Sequence, residues 1–221
     1  QAKIAIVDHH LSEGMEAEVV INNQMSSATE QILDFCQAVR GNKYVITAEI
    51  STLGQIGIIY DTGRFAYDNA TPDTYRLMAK LREIYPLDLE DFEFKSSKFP
   101  SESLLPMKVY IGNLHIVNDM AYSYLKKSDI NNLKLTKIGI NAAQEFVRDK
   151  IIRYIQGVHW GFIVKPSFTA ENEWRVSFRS RKGYQEVSAI AESLNGGGHQ
   201  YASACNVTAN DGEQAANIVL D

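Results

Sequence analysis

The chain of 221 residues is long enough for one large domain or two medium ones, and its 45% hydrophobic and 22% charged residues are ordinary globular values. The net charge of -5 argues against broad coating of duplex DNA or of an anionic membrane, although it leaves room for a local basic pocket. No apolar stretch approaches the length of a membrane span, and the two cysteines, Cys36 and Cys205, are too few for a disulfide framework. We therefore expect a cytoplasmic protein.

The first predicted element is a β-strand that ends in chemically active side chains. Residues 4–7 are apolar, and Ile4, Ile6 and Val7 are β-branched, as in a strand buried on both faces of a parallel sheet. Asp8, His9 and His10 follow at its carboxyl end, which is where open α/β sheets bind their ligands. These three side chains form a candidate site, and a turn with solvated polar residues is the alternative interpretation.

Two predicted helices follow a short strand at residues 17–21. Ser26 and Ser27 are typical of a helix start, and a phosphate bound at the same N–H groups is the functional alternative to capping. The second helix is predicted over residues 43–60, because apolar residues recur there at three-to-four spacing. Asp61 comes directly after it, where a carboxylate is unfavourable unless a cation compensates it. A metal ion and a simple Asp-Thr-Gly turn are therefore the two interpretations of Asp61.

The best candidate for a domain boundary is residues 87–106, which are rich in proline, acidic and polar residues. We predict a first domain over residues 1–86, a linker over residues 87–106 and a second domain over residues 107–221. In the second half of the chain, helices are predicted at residues 104–117, 142–154, 187–194 and 213–220, and strands at residues 120–125, 158–166, 174–179 and 202–207.

Three consecutive glycines in the second domain have the chemistry of an anion-binding loop. Gly196, Gly197 and Gly198 allow a tight turn whose N–H groups form a nest for a phosphate or carboxylate. His199 adds a group that exchanges a proton near neutral pH. A flexible turn that ends a helix is the alternative.

A row of arginines lies upstream of the glycines. Alternation along the strand places Arg175, Ser177, Arg179 and Arg181 on one face. Arginine binds phosphate with two parallel hydrogen bonds, so this row predicts a phosphate site, and a solvated sheet edge is the alternative.

Together these segments resemble the DHH phosphoesterase family, in its short members with a DHH-associated second domain. Those members include nano-RNase, phosphoadenosine-phosphate phosphatase and cyclic dinucleotide phosphodiesterase types. The motifs that carry the resemblance occur in order over nearly the whole chain, at residues 7–10, 26–30, 61–65, 177–180 and 196–199. The resemblance implies an α/β fold in which a parallel-sheet catalytic domain, partly present here, and a smaller mixed α/β domain border a cleft.

The resemblance also implies roles for residues of the first domain. The catalytic domain would hold two Mn²⁺ ions, with Mg²⁺ as the alternative metal. His9 and Asp61 would be ligands of the same ion, and His10 would face the substrate phosphate. Asp8 would orient the imidazoles from behind.

In the second domain, the resemblance implies that Arg179 and Ser177 bind the phosphate or terminal nucleotide of the substrate. Residues 196–198 and His199 would complete that site. Asn195 stands where the family usually has a fourth glycine, and residues 202–204 are Ala-Ser-Ala where the family has Ala-Ala-Gly.

The family's other metal ligands, a histidine and several aspartates upstream of the first strand, are not in this sequence. His9 and Asp61 alone do not complete a dinuclear centre. We expect the native chain to extend before Gln1, and a truncated, inactive form is the alternative.

The predicted activity is that of a metal-dependent phosphoesterase that hydrolyses short oligoribonucleotides or small nucleotide phosphates. A cyclic dinucleotide phosphodiesterase and an exopolyphosphatase are the alternative enzymes, and a non-catalytic nucleotide-binding module is the alternative of another class. The expected partner is a short RNA or small nucleotide, with no membrane and no long duplex DNA, and a homodimer is left open. His115 and His159 are assigned no role.

Overall fold

The computed structural model describes residues 4–9, 17–23 and 25–221, which fall into two units, Gln1–Ser97 and Lys98–Asp221. The domain boundaries inferred from the sequence stay a prediction. Among the described residues, every helix is too short or too polar to cross a membrane.

The sheet of unit 1 contains two described strands, β1 (Ala5–Val7) and β2 (Val19–Ile21), which pair in parallel. The strands predicted at these two places are therefore confirmed, although both are short. Ile6 and Val7 are half-buried, whereas Ile4 is 56% exposed. The sequence predicted a strand buried on both faces. Among the described residues this is not found, because Ile4, next to β1, is open to solvent.

Four helices follow in unit 1: α1 (Ala28–Arg40), α2 (Ala48–Asp61), α3 (Pro72–Ile84) and α4 (Leu89–Ser96). Leu33, Ile58 and Leu81 are buried and form the core between the first three. The helix predicted over residues 43–60 begins only at Ala48, because the Thr47 side chain accepts a hydrogen bond from the Ile50 N–H and caps it there.

Unit 2 is built on one sheet of six strands, in the order β3-β4-β5-β6-β8-β7. Its neighbours are antiparallel except for the parallel pair β4 and β5. In chain order the elements are α5 (Leu104–Gly112), β3 (His115–Val117), β4 (Met120–Tyr124), α6 (Lys127–Asn132), α7 (Lys137–Phe146), β5 (Trp160–Pro166), β6 (Glu173–Ser180), α8 (Val187–Ser193), β7 (Gly197–His199), β8 (Ala202–Thr208) and α9 (Gly212–Leu220).

The two faces of this sheet bury two separate cores. Phe162 and Phe178 point to the face covered by α8 and α9 and are fully buried. Ile163 points to the opposite face, where it packs with residues of α5 and α7 such as Tyr110 and Ile140. This alternation of side chains is the strand period of two. Ser177 pairs with Ile163 and therefore belongs to the α7 face of the sheet.

Two predicted helices of unit 2 are corrected. The helix predicted over residues 104–117 ends at Gly112, and His115–Val117 form β3, since Asn118 adopts a φ of 55° and turns the chain back into β4. The helix predicted over residues 142–154 begins earlier, at Lys137, where the Thr136 side chain caps it. After Phe146 the helix continues as a π-helix over Val147–Ile151.

The close pairing of β4 and β5 predicts that replacing Gly161 lowers the stability of the protein. A Cβ at Gly161 would lie 2.0 Å from the backbone oxygen of Ala121. We expect Gly161→Ala to lower the free energy of unfolding by about 1–3 kcal/mol, measured by urea denaturation. Gly112→Ala is the control, because nothing lies within 4 Å of a Cβ there. Equal stability of the two variants would contradict this account of the strand pair.

Candidate functional site

The two predicted metal ligands of unit 1 are close together. His9 follows β1, and Asp61 is the last residue of α2. His9 Nε2 lies 3.8 Å from Asp61 Oδ2, and the two side chains are 12% and 34% exposed. Two ligand atoms that each lie about 2.1 Å from one ion are themselves about 3–4 Å apart, so this spacing fits a shared cation. An imidazole and a carboxylate also form a donor set suited to Mn²⁺ or Mg²⁺.

The backbone around Asp8 supports this pair. Asp8 Oδ1 accepts a hydrogen bond of 2.7 Å from the His9 N–H, which holds the start of the turn after β1. The predicted orienting of the imidazoles by Asp8 stays a prediction. His10 lies outside the described residues, so its predicted contact with the substrate phosphate is also still a prediction.

Two amides that the sequence did not single out position the ends of these elements. Gln31 is buried, and its Nε2 donates to the carbonyl oxygens of Asp8, at 2.8 Å, and Asn23, at 3.1 Å. Asn69 Nδ2 donates to the carbonyl oxygens of Ser26, at 3.0 Å, and Asp61, at 3.1 Å. Isolated amides form no recognisable motif, and only the folded chain brings them to the site.

The two serines before α1 have different surroundings. Ser27 caps the helix, because its Oγ accepts a hydrogen bond from the Glu30 N–H at 3.2 Å. Ser26 is 1% exposed, and its Oγ has no hydrogen-bond partner among the described residues. Capping is thus confirmed for Ser27. The phosphate alternative at Ser26 stays a prediction.

A full metal site is not formed by the described residues, since no three of their His, Cys, Asp or Glu side chains come together as metal ligands. His9 and Asp61 therefore supply two donors, which fits the resemblance, where both bind the same ion. Their predicted role as ligands stays a prediction.

The predicted phosphate-binding residues of unit 2 meet in one groove of about 450 Å³, called the unit 2 groove below. It is lined by Arg175, Ser177, Arg179, Gly197, Gly198 and His199. Gly196 is absent from the lining, and Arg181 lies past the end of β6 and lines a different cavity. The expected row of four residues on one strand face is therefore shortened to three, because β6 ends at Ser180.

The glycine segment has a different structure from the one predicted. Residues Gly197–His199 form the strand β7 and pair with β8, so the expected loop is wrong. The glycines are needed for close approach: a Cβ at Gly196 would lie 2.3 Å from the Ala204 oxygen, and one at Gly198 would lie 2.7 Å from Ser203 Cα. Gly198 also has a φ of 139°, which residues that carry a side chain rarely adopt.

Asn195 stands where the family that the sequence resembles usually has a fourth glycine, and its backbone still adopts a turn conformation. Its φ is 58°, in the left-handed region that asparagine tolerates better than most residues. Asparagine can therefore stand where the family usually has glycine.

Further groove residues come from α7 and the π-helix that follows it, and the sequence did not reveal them. Arg148 donates to both oxygens of Asp149, at 2.9 and 2.5 Å. Arg179 Nε lies 3.5 Å from Asp149 Oδ1, so one carboxylate holds two guanidinium groups. Lys165 on β5 and the α7 residues Gln144 and Glu145 also line the groove. None of these residues belongs to a motif, and their grouping depends on contacts between distant parts of the chain.

The pKa of Asp149 reflects these neighbours. Burial raises the pKa of the carboxyl, but the hydrogen bonds and charge of Arg148, with the charges of Arg179 and Arg153, outweigh it and lower the pKa overall. The carboxylate therefore stabilises the folded chain above its ordinary pKa of 3.8. That contribution is lost as the pH falls through the lowered value.

We expect Asp149→Asn to destabilise the protein at pH 7 and to do so less and less as the pH falls below 3.8, because the carboxyl is then protonated in the unfolded chain and the folded chain loses its advantage. The measurement is the free energy of unfolding of both proteins across this range. A difference that is the same at every pH would mean that charge on Asp149 is not the cause.

Comparisons with known proteins find relatives that are named as oligoribonucleases and phosphatases. No protein-family model matches it. The bifunctional oligoribonuclease and PAP phosphatase NrnA of Bacillus subtilis (strain 168) is 26% identical over 223 residues, which cover 100% of this chain and 67% of that protein. The Thermus thermophilus protein of the same name is 26% identical over 222 residues, covering 97% and 62%.

Among solved structures, an exopolyphosphatase-related protein from Bacteroides fragilis has a TM-score of 0.78 at 22% identity, over 97% of this chain and 61% of that one. This likeness shows a common fold. The chain spans 57% to 67% of the length of the curated relatives it matches. Together, the comparisons confirm the resemblance to the DHH phosphoesterases that the five sequence motifs indicated.

Proposed function

We propose that this protein is a divalent-metal-dependent phosphoesterase that hydrolyses short oligoribonucleotides or small nucleotide phosphates. One observation carries the proposal: His9, which follows β1, and Asp61, which ends α2, bring Nε2 and Oδ2 to within 3.8 Å of each other. The names of the Bacillus and Thermus relatives support the same class of substrate.

The metal would be held in part by His9 and Asp61, whose imidazole and carboxylate suit Mn²⁺ or Mg²⁺, and we favour Mn²⁺ because the family resemblance implies it. A bound divalent ion stabilises negative charge that develops on the phosphate oxygens during hydrolysis. Asp61 is suited to this task by its position, since the carboxyl end of α2 disfavours its negative charge and a cation would offset that cost. We assign metal binding to residues 1–86 and substrate binding to residues 107–221.

In unit 2, we propose that Arg179 and His199 bind the phosphate of the substrate, with Ser177 beside them. Asp149 holds the Arg179 side chain in place before the substrate arrives, which lowers the cost of ordering it. The net charge of -5 favours a short substrate bound in a local basic groove over a long polymer that follows a basic surface.

The experiment is a hydrolysis panel with the purified protein, first stripped of metal with EDTA and then supplied with Mn²⁺ or Mg²⁺. The substrates are a dinucleotide, 3′-phosphoadenosine 5′-phosphate, a cyclic dinucleotide and polyphosphate. Metal-dependent turnover of the first two supports the proposal. Binding of nucleotides without turnover of any substrate would instead assign the chain to nucleotide-binding modules.

The variants His9→Gln and Asp61→Asn test the site itself. Each should lower the metal-dependent rate by about 100-fold or more, because a missing ligand removes the ion that stabilises the developing charge. Asp73→Asn is the matched control, since that carboxylate is 90% exposed on α3. Circular dichroism should show an unchanged fold for all three. Rates like those of the wild type in Asp61→Asn would reject the proposed site.

A further inference from the structure

The unit 2 groove is longer than one phosphate needs. Its floor consists of small residues, among them Ser177 and Ala204. Arg179 lies at one end, and at the other end Lys165 faces Arg175 across the β5–β6 pair. Arg175 and Arg179 are four residues apart on β6, which corresponds to about 13 Å along an extended strand. The groove thus has two cationic ends.

The two ends differ in how their charges are balanced. At the first end, Asp149 pairs with Arg179 and with Arg148. At the second end the hydrogen-bond partners are neutral: Lys165 donates to Asn141 Oδ1, and Arg175 Nη1 lies 3.5 Å from Asn206 Oδ1. The Glu145 carboxylate also lines the groove, but it forms no ion pair with either cation among the described residues. No ion pair of Lys165 or Arg175 forms within the part of the chain that the structure describes.

The repulsion between these cations is visible in the pKa of Lys165. Burial lowers that pKa first, and the nearby charges of Arg175, Arg148 and Lys137 lower it further, while Glu145 acts in the opposite direction. An anion bound between Lys165 and Arg175 would offset the repulsion between their charges.

A buried amide that lines the groove also lacks a partner. Gln144 lines the groove and is 3% exposed, and its Nε2 donates to no acceptor among the described residues. A buried donor without an acceptor is rare in folded proteins, because the hydrogen bond that it made to water in the unfolded chain is not replaced. A ligand oxygen in the groove would supply the acceptor.

We propose that Lys165 and Arg175 bind a second phosphate of the same oligonucleotide, so that the groove distinguishes substrates by length. Gln144 donates to a substrate oxygen between the two ends. A 5′-phosphorylated trinucleotide carries phosphates two linkages apart and reaches both ends, whereas a dinucleotide or a nucleoside bisphosphate reaches one. This inference rests on the proposed function and deepens it.

The test is equilibrium binding of fluorescent 5′-phosphorylated di- and trinucleotides in EDTA, which prevents metal-dependent turnover. Lys165→Met and Arg175→Met should each weaken trinucleotide binding several-fold and leave dinucleotide binding unchanged. The slope of log affinity against log salt for the trinucleotide should become shallower by about 0.7 for each phosphate that the variant no longer neutralises. Lys108→Met, an exposed lysine of α5, is the control and should change neither.

The outcomes separate this inference from the proposed function. Equal losses of affinity for the two lengths, or no loss for either, overturn the length inference and leave the hydrolysis panel as the test of function. Failure of the wild-type protein to bind either oligonucleotide overturns the length inference, and the hydrolysis panel with added metal then decides the proposed function.

Gln144→Leu provides an independent readout. Removing an unpartnered buried amide while keeping a similar volume should leave the thermal midpoint unchanged or raise it, and affinity for the trinucleotide should fall. A lower midpoint with unchanged affinity would assign Gln144 a structural role and remove it from the proposed site.

Discussion

The position of β6 in the middle of the sheet is the constraint on which the rest of unit 2 depends. Val176 and Phe178 are completely buried on the α8 and α9 face, and this burial fixes the register of the strand. A shift by one residue would expose both side chains and bury charged ones. The same register therefore presents Arg175, Ser177 and Arg179 on the other face. The hydrophobic core thus sets the geometry of the candidate phosphate site.

The helix α7 completes that site because its last turn changes character. The π-helix Val147–Ile151 places Arg148 and Asp149 together beside β6, so that the carboxylate reaches Arg179. Short π-helical segments are often found at functional sites, where the extra residue re-aims a side chain. In this protein the result is a pair of guanidinium groups oriented by one carboxylate, next to a groove floor of small residues.

The sequence predicted much of the fold because the decisive signals were local. The strands β5 and β6, the start of α1 at Ser27 and the termination of α2 near Asp61 were each predicted from a few consecutive residues. The end of α5 at Gly112 was missed, since the hairpin that follows depends on Asn118 adopting a left-handed conformation. The strand β7 was missed because three glycines are more typical of a loop than of a strand.

The candidate site divides in the same way. Motif residues such as His9, Asp61 and Arg179 were predicted, and the structure brings the first two together. Lys165 and Gln144 were invisible in the sequence, because a lone lysine or glutamine gains meaning only from what folds against it. Their inclusion in the groove requires the pairing of β5 with β6 and the packing of α7 against β5.

The place of β7 at the end of the sheet order has a consequence for the behaviour of the protein at high concentration. An edge strand offers unpaired backbone groups to other copies of the chain and so invites edge-to-edge association. Here the edge is three residues long and two of them are glycine, which have no side chains to pack against an incoming strand. The two glycines leave the backbone of this edge accessible to a small ligand. Because the edge is so short, it is also a poor template for aggregation.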